Sequence, residues 1–392
     1  MHSSHATLST LRETNAAVAL EAIRRDPPLS RAEIARRTGM TKPTVSSALD
    51  LLIAAGLVRE TEPPGKTHYG AVYFAPAADV ACVLGLDIGG RFVRGALADL
   101  DGTMRARHDV RIGDSAPETV MAAITRIRDE FAEDVPIELV VAGVPGVVDP
   151  QEGILRDSNP PELEGFAIVA ELTSALGVSA VAENDINLAA LGEQAAGHGR
   201  GVNDFAFLSV GTGVGAGLVL GGRPHRGHSG AAGEIDNPPP GSLVAPDSPS
   251  ADALLGWAAD WAAEAGSSLR ITPEDIFAAA RQGDELARRI LAEEARRIAV
   301  RVADLARVAD VELVVLGGGI GLACAEILPT IEAALGGLLP RPPRIAVSGL
   351  GDAPVLVGAL ARASHLAWRQ VATRLIAEAT ATRTPQHKEA VT

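Results

Sequence analysis

The chain has 392 residues, 47% of them hydrophobic and 3% aromatic, with a formal net charge of −14. That length suffices for a small module plus a two-lobed domain, each with its own core, while the acidic balance excludes a generally basic nucleic-acid coat. Scarce aromatics also argue against stacking on single-stranded bases.

Charge is uneven along the chain: residues 1–75 hold nine Lys/Arg against seven Asp/Glu, which leaves −16 for the remainder. A near-neutral head on an acidic body suits a local DNA reader joined to something else. In chain order, Leu11, Val18 and Ala22 fall on one face of a first helix, which Asp26-Pro27-Pro28 ends because proline cannot continue it. Ser30 with Glu33 three residues on is a capping box and starts a second, short helix through Arg37. Thr38-Gly39-Met40 is a tight turn, and Thr41 caps a third helix with Val45, Leu49, Leu52 and Ile53 on one face. Two short helices meeting across such a turn read as a helix-turn-helix. The third helix then enters the major groove, presenting Lys42, Thr44, Ser46 and Ser47 near its start. Strands at Leu57 to Arg59 and Val72 to Phe74 flank a turn-rich wing in which Lys66 and His68 reach phosphate or the minor groove. With so few cations on the recognition helix, affinity leans on Arg12, Arg31, Arg36, Arg37 and dimerisation. A helical dimerisation module is the blander alternative for this head.

Beyond Ala75 the pattern becomes strands and helices in alternation, an α/β domain. Val83 to Ile88, Gly89-Gly90 and Arg91 to Gly102 read as strand, glycine bend, strand and hairpin turn. Phe205 to Val210, the glycine run Gly211 to Gly217 and Leu218 to Gly222 repeat that order, which predicts two related lobes facing one another across a cleft. Such glycines let backbone N–H groups approach phosphate oxygens, so Asp87, Gly89, Gly90, Gly211, Thr212 and Gly213 are nucleotide-binding candidates. A third glycine run containing Gly318, also a nucleotide-binding candidate, leads from a strand into a helix, where close helix–strand packing is the alternative reading. Neither of the first two loops is a dinucleotide fingerprint, because each is followed by a strand where that motif needs a helix. Further helices are expected at Ala251 to Ala265, Pro273 to Val308 and Pro354 to Ile376, and a disordered polar tail over 377–392.

Cys82 and Cys324 are the only cysteines, too few for a disulfide framework or a multi-cysteine zinc site. With no apolar signal core and no apolar run of roughly 18 residues, the expected compartment is the cytoplasm and no membrane is a partner. His225 and His228 lack neighbouring ligand residues and are not taken as a metal site.

The ordered set Asp87-Ile88-Gly89-Gly90, Gly143-Val144-Pro145-Gly146, Glu183-Asn184-Asp185, Gly211-Thr212-Gly213, Gly230 to Glu234 and Gly317-Gly318-Gly319 resembles the ROK family of repressors and sugar kinases over nearly the whole chain. The resemblance implies a winged helix-turn-helix over 1–76, a two-lobed actin-like sugar-kinase domain over 80–376, and assembly as a homodimer or homotetramer. It puts Asp185 in the place of the catalytic base that takes a proton from a sugar hydroxyl, and Asn159, Asn184 and Glu234 among the sugar contacts. An Asn184-Asp185 pair after a strand is equally suited to cap the following helix.

Departures from the family pattern are informative. Arg91 stands where the kinases have threonine, and is expected either to pair with Asp87 across the phosphate or magnesium position or to point outward. The family's histidine and cysteine-rich zinc loop is replaced by Asp236-Asn237 and a proline run, so zinc is not expected. The expected function is a sugar-responsive transcriptional regulator, a repressor acting on operator double-stranded DNA, with no required cofactor and with ATP and magnesium left open. The alternative is an active ATP-dependent carbohydrate kinase with an accessory DNA-binding head.

Overall fold

The computed structural model describes residues 8–62, 71–131, 136–236 and 247–383. The head consists of α1 (Leu8–Arg25), β1 (Leu29–Ser30), α2 (Arg31–Thr38), α3 (Lys42–Ala54), β2 (Val58–Thr61) and β3 (Tyr73–Pro76). Its strands form an antiparallel sheet ordered β1-β3-β2. The capping box is present: the Ser30 hydroxyl accepts from the Glu33 N–H, and the Ser30 N–H donates to the Glu33 carboxylate at 2.8 Å. Gly39 closes α2 at φ +71°, a left-handed turn that costs glycine least, and Thr41 caps α3. These local choices bring α3 across α2 as a helix-turn-helix. The apolar face of α1 differs from expectation. Ala16, Ala19, Leu20 and Ile23 are buried at i, i+3, i+4 and i+7, whereas Leu11 and Val18 are exposed, as is Ile53 on α3.

Each lobe has the same sheet. Lobe I contains β4 (Cys82–Ile88), β5 (Phe92–Asp99), β6 (Met104–Arg111), α4 (Pro117–Glu130), β7 (Ile137–Val144), the ribbon β8 (Val147–Val148) and β9 (Leu155–Arg156), α5 (Ile168–Leu176) and β10 (Ser179–Asn184). After α6 (Asp185–Ala196), lobe II follows with β11 (Phe205–Val210), β12 (Val214–Leu220), β13 (Arg223–His225), α7 (Ala251–Glu264), α8 (Pro273–Arg281), α9 (Glu285–Ala309), β14 (Leu313–Gly317), α10 (Gly318–Ala323), α11 (Leu328–Leu338) and β15 (Arg344–Val347). The orders are β6-β5-β4-β7-β10 and β13-β12-β11-β14-β15, with the first strand of each lobe central, antiparallel to the second and parallel to the fourth. The repeated glycine bends therefore occupy equivalent places, at the end of the central strand of each sheet.

All of β4 is buried because both faces are covered. Leu84, Leu86 and Ile88 pack with Val120, Ile124 and Ile127 of α4, and Val83 packs toward the last helix, α12 (Pro354–Arg383). A Cβ on Gly192 of α6 would lie 2.1 Å from the Pro354 carbonyl, and one on Gly358 of α12 would lie 1.8 Å from the Leu188 carbonyl. Only glycine lets α6 and α12 cross this closely between the lobes.

The helix α12 extends past the expected end at Ile376 to Arg383, so the tail expected from 377 is helical at its start; 384–392 lie outside the described residues. The helical stretch expected from Pro273 breaks into α8 and α9 at Gly283, φ +95°. The same α12 packs against the head: Ala16, Leu20, Leu49 and Leu52 share one buried cluster with Trp368, Val371 and Ile376. No single helix among the described residues is long and apolar enough to cross a membrane.

Candidate functional site

On the head, Lys42 and Ser47 are exposed at the start of α3, and Thr44 and Ser46 are half-buried. The Thr44 hydroxyl bonds that of Thr41 at 2.8 Å and so is partly committed to the cap. The Arg31 guanidinium lies 4.7 Å from the Phe74 ring centroid, and Arg37 pairs with Asp26 at 2.6 Å, which leaves Arg12, Arg36 and Lys42 as the freer cations. Lys66 and His68 lie outside the described residues.

Between the lobes is a cleft of about 640 Å³. Gly89, Gly90 and Asn159 approach from lobe I, Asn184 and Asp185 from the β10–α6 junction, and Gly211, Thr212, Gly213 and Glu234 from lobe II. Asp87 and Gly318 do not line it. Gly318 sits directly behind the β11 loop, at φ +78°, where a Cβ would meet the Val210 carbonyl at 2.5 Å. The cleft also gathers Asp157, Asp236, Ser248, Ser250 and Asp252, which sequence reasoning missed. They come from loops and a helix start, where no periodic pattern marks them.

Asn184 caps α6: its Oδ1 accepts from the Asn187 N–H at 3.0 Å and its Nδ2 donates to the Gly146 carbonyl at 3.2 Å. Asp185 follows at the helix start, where Oδ1 accepts from the Ile186 N–H at 2.8 Å. Burial, then the nearby Asp87 carboxylate, push the Asp185 carboxyl up to about 7. The Glu234 carboxyl is also raised, by burial and then by Asp157.

Asp87 is buried and pairs with Arg94 at 3.0 Å, directly opposite it in the β4–β5 ladder. Of the two expectations for Arg91, pairing with Asp87 or pointing outward, the second describes it, since Arg91 is exposed. The register decides the matter: Asp87 and Arg94 are cross-strand partners, whereas Arg91 stands in the bend. Arg94 also lies 3.7 Å from Asp109 and from Asp352, and Arg107 bridges those two aspartates at 2.8 Å each. Asp352 lies two residues before the start of α12. Backbone amides of the two glycine loops suit phosphate, while the Asp87 carboxylate near the end of β4 is held by Arg94. No group of three or more His, Cys, Asp or Glu among the described residues is arranged to hold a metal ion.

Comparison with known proteins bears on the family and the fold. The ROK family profile matches residues 83–242 and 248–365, and a MarR family profile matches residues 13–66. N-acetylmannosamine kinase of Shigella flexneri is 31% identical over 253 residues, 62% of this chain and 84% of the kinase. Among solved structures, a ROK family transcriptional regulator homologous to the E. coli MLC protein superposes with a TM-score of 0.75 at 22% identity, covering 95% of this chain and 99% of its own. A ROK family glucokinase from Streptomyces griseus, in complex with glucose and AMPPNP, gives a TM-score of 0.62 at 27% identity, covering 73% of this chain and all of its own.

Proposed function

The chain belongs to the ROK family and carries a MarR-type winged helix head, and on that premise we propose that it is a sugar-responsive DNA-binding regulator whose kinase site no longer turns over. The observation that carries this reading is the path from cleft to head. Asp87, behind the cleft, is tied to Arg94, Arg94 to Asp352 just before α12, and α12 shares a buried core with α1 and α3. A lobe movement on ligand binding is thereby passed to the head, which shifts operator affinity. In this role Asn159, Asn184, Asp185 and Glu234 hold the sugar, and Arg12, Arg36 and Lys42 meet phosphate, with Ser46 and Ser47 at base edges. Paired half-sites call for a homodimer or a larger homo-oligomer, acting in the cytoplasm as a repressor.

Footprinting on duplex DNA from the chain's own promoter region, with and without a panel of hexoses, tests the proposal. A protected site whose occupancy changes with one sugar is expected; bare DNA at every concentration sinks it.

A second reading, a working carbohydrate kinase, is favoured by Asp185, whose carboxyl lies in the cleft near the operating range of a general base. Sugar-dependent ATP consumption abolished by Asp185→Asn would establish it. The regulator is preferred because positioning of phosphate and metal dominates phosphoryl transfer, and the Asp87 carboxylate is committed to Arg94.

A further inference from the structure

We propose that Arg301, which does not line the cleft, is the positioning residue for its lobe II wall; the inference rests on the cleft being the effector site. Arg301 projects from α9 and donates to Asp236 Oδ1 twice, from Nη2 at 2.8 Å and from Nε at 3.1 Å. The pair is nearly buried, with 11% and 7% of the side chains exposed. The other carboxylate oxygen of Asp236 accepts from the Ser248 hydroxyl. Ser248 Oγ in turn accepts from the Ser250 N–H at 3.1 Å, and Ser250 caps α7 through the Ala253 N–H. The next residue, Ala251, donates its N–H to the Gly211 carbonyl at 2.7 Å.

An unbroken relay thus runs from α9 to the glycine loop. Asp236, Ser248, Ser250 and Gly211 all line the cleft, and Asp236 follows Glu234 by two residues. One guanidinium therefore holds together the wall that carries Glu234 and the loop that carries Thr212. A planar, bidentate donor fixes orientation as well as distance, which a lysine ammonium does not. Other cations on the same face are used differently. Arg297 donates to the Ser248 carbonyl at 3.3 Å and stacks on Trp257, and Arg296 pairs with Asp247 at 2.8 Å. Neither reaches Asp236.

Hydrogen exchange on the full chain, read at the amides of Ser250 and Ala251, tests the relay without any ligand. Arg301→Met is expected to speed exchange there by about ten-fold or more, with α9 and the Gly89–Gly90 bend of lobe I unchanged. Arg301→Lys should restore part of the protection. Unchanged exchange at those two amides, or an equal rise throughout lobe II, overturns the proposal. Because removing one partner strands a buried charge, the pair Arg301→Met with Asp236→Leu serves as the variant that folds; it should show the same local acceleration, and wild-type protection in it would also overturn the proposal. Thermal-shift titration with glucose and N-acetylmannosamine separates the two readings. Loss of binding in Arg301→Met supports both, whereas wild-type binding unaffected by Arg301→Met overturns the positioning role alone. If neither sugar nor any other hexose binds the wild type, the effector reading fails, and exchange at Ser250 and Ala251 still decides the relay.

Discussion

The guanidinium of Arg24, near the end of α1, lies 4.6 Å from the ring centroid of Trp368 in the middle of α12. Trp368 is 2% exposed, so the cation is stacked on a ring embedded in the core that joins the head to the lobes. Burial lowers the Arg24 pKa, a sign that the pair is partly shielded from water. Such a contact contributes about 0.5–2 kcal/mol, enough to bias the head's seating without being needed for folding.

Arg24→Met keeps the aliphatic stem and removes the charge. Operator affinity is expected to lose most of its dependence on sugar, several-fold in the coupling factor, while the sugar Kd stays within about two-fold. Fluorescence anisotropy of labelled operator with and without sugar checks this. Trp368→Ala is harsher, with a cost of about 3–5 kcal/mol expected from an emptied core site.

The Asp185 carboxyl, pushed up to about 7, makes ligand binding pH-dependent. If sugar hydroxyls donate to the carboxylate, affinity rises several-fold between about pH 6 and pH 8, and Asp185→Asn removes the slope. Stability runs the other way. The folded value lies above the ordinary 3.8, so stability is full at low pH and falls as pH climbs from there through about 7. Asp185→Asn should therefore melt above the wild type at pH 8, and a lower melting temperature would contradict the assignment.

Glu294 on α9 is fully buried in lobe II with neither carboxylate oxygen hydrogen-bonded among the described residues, and burial pushes its carboxyl up to about 8. The wild type then loses stability as pH rises from about 4.5 through about 8. Glu294→Gln should match it near pH 5 and exceed it by several degrees in Tm at pH 9. A constant difference across that range would mean that Glu294 does not titrate there.

Much of the fold was legible because short-range chemistry dictates it. The Ser30–Glu33 box and the Gly39 turn need only three or four residues each, and the two glycine bends announce the repeated sheets. Other features depend on partners distant in sequence. Leu11 and Val18 satisfy helical spacing, yet the buried face is the one with Ala16, Leu20 and Ile23, which packs against α3 of the head and against α12, more than three hundred residues away. Arg94 was hidden for a related reason: strand register, not proximity in sequence, puts it on Asp87. In the cleft, Asn159, Asn184, Asp185 and Glu234 do converge, but Asp236 and Ser248 were not expected, because their role depends on Arg301 from α9.

Lys42 stands exposed at the start of α3 without an ion pair among the described residues. Lys42→Ala should weaken binding to all DNA sequences about equally and flatten the slope of log K against log salt by about 1. Ser47→Ala should instead change preference at one base position, measured by competition with single-base operator variants.

Reciprocal linkage is the most direct measurement of the account. The factor by which saturating sugar changes operator affinity must equal the factor by which operator DNA changes sugar affinity. A common factor of about 5 to 150 is expected in the wild type, reduced toward 1 in Arg24→Met. Equal operator affinity with and without a sugar that demonstrably occupies the cleft would contradict it.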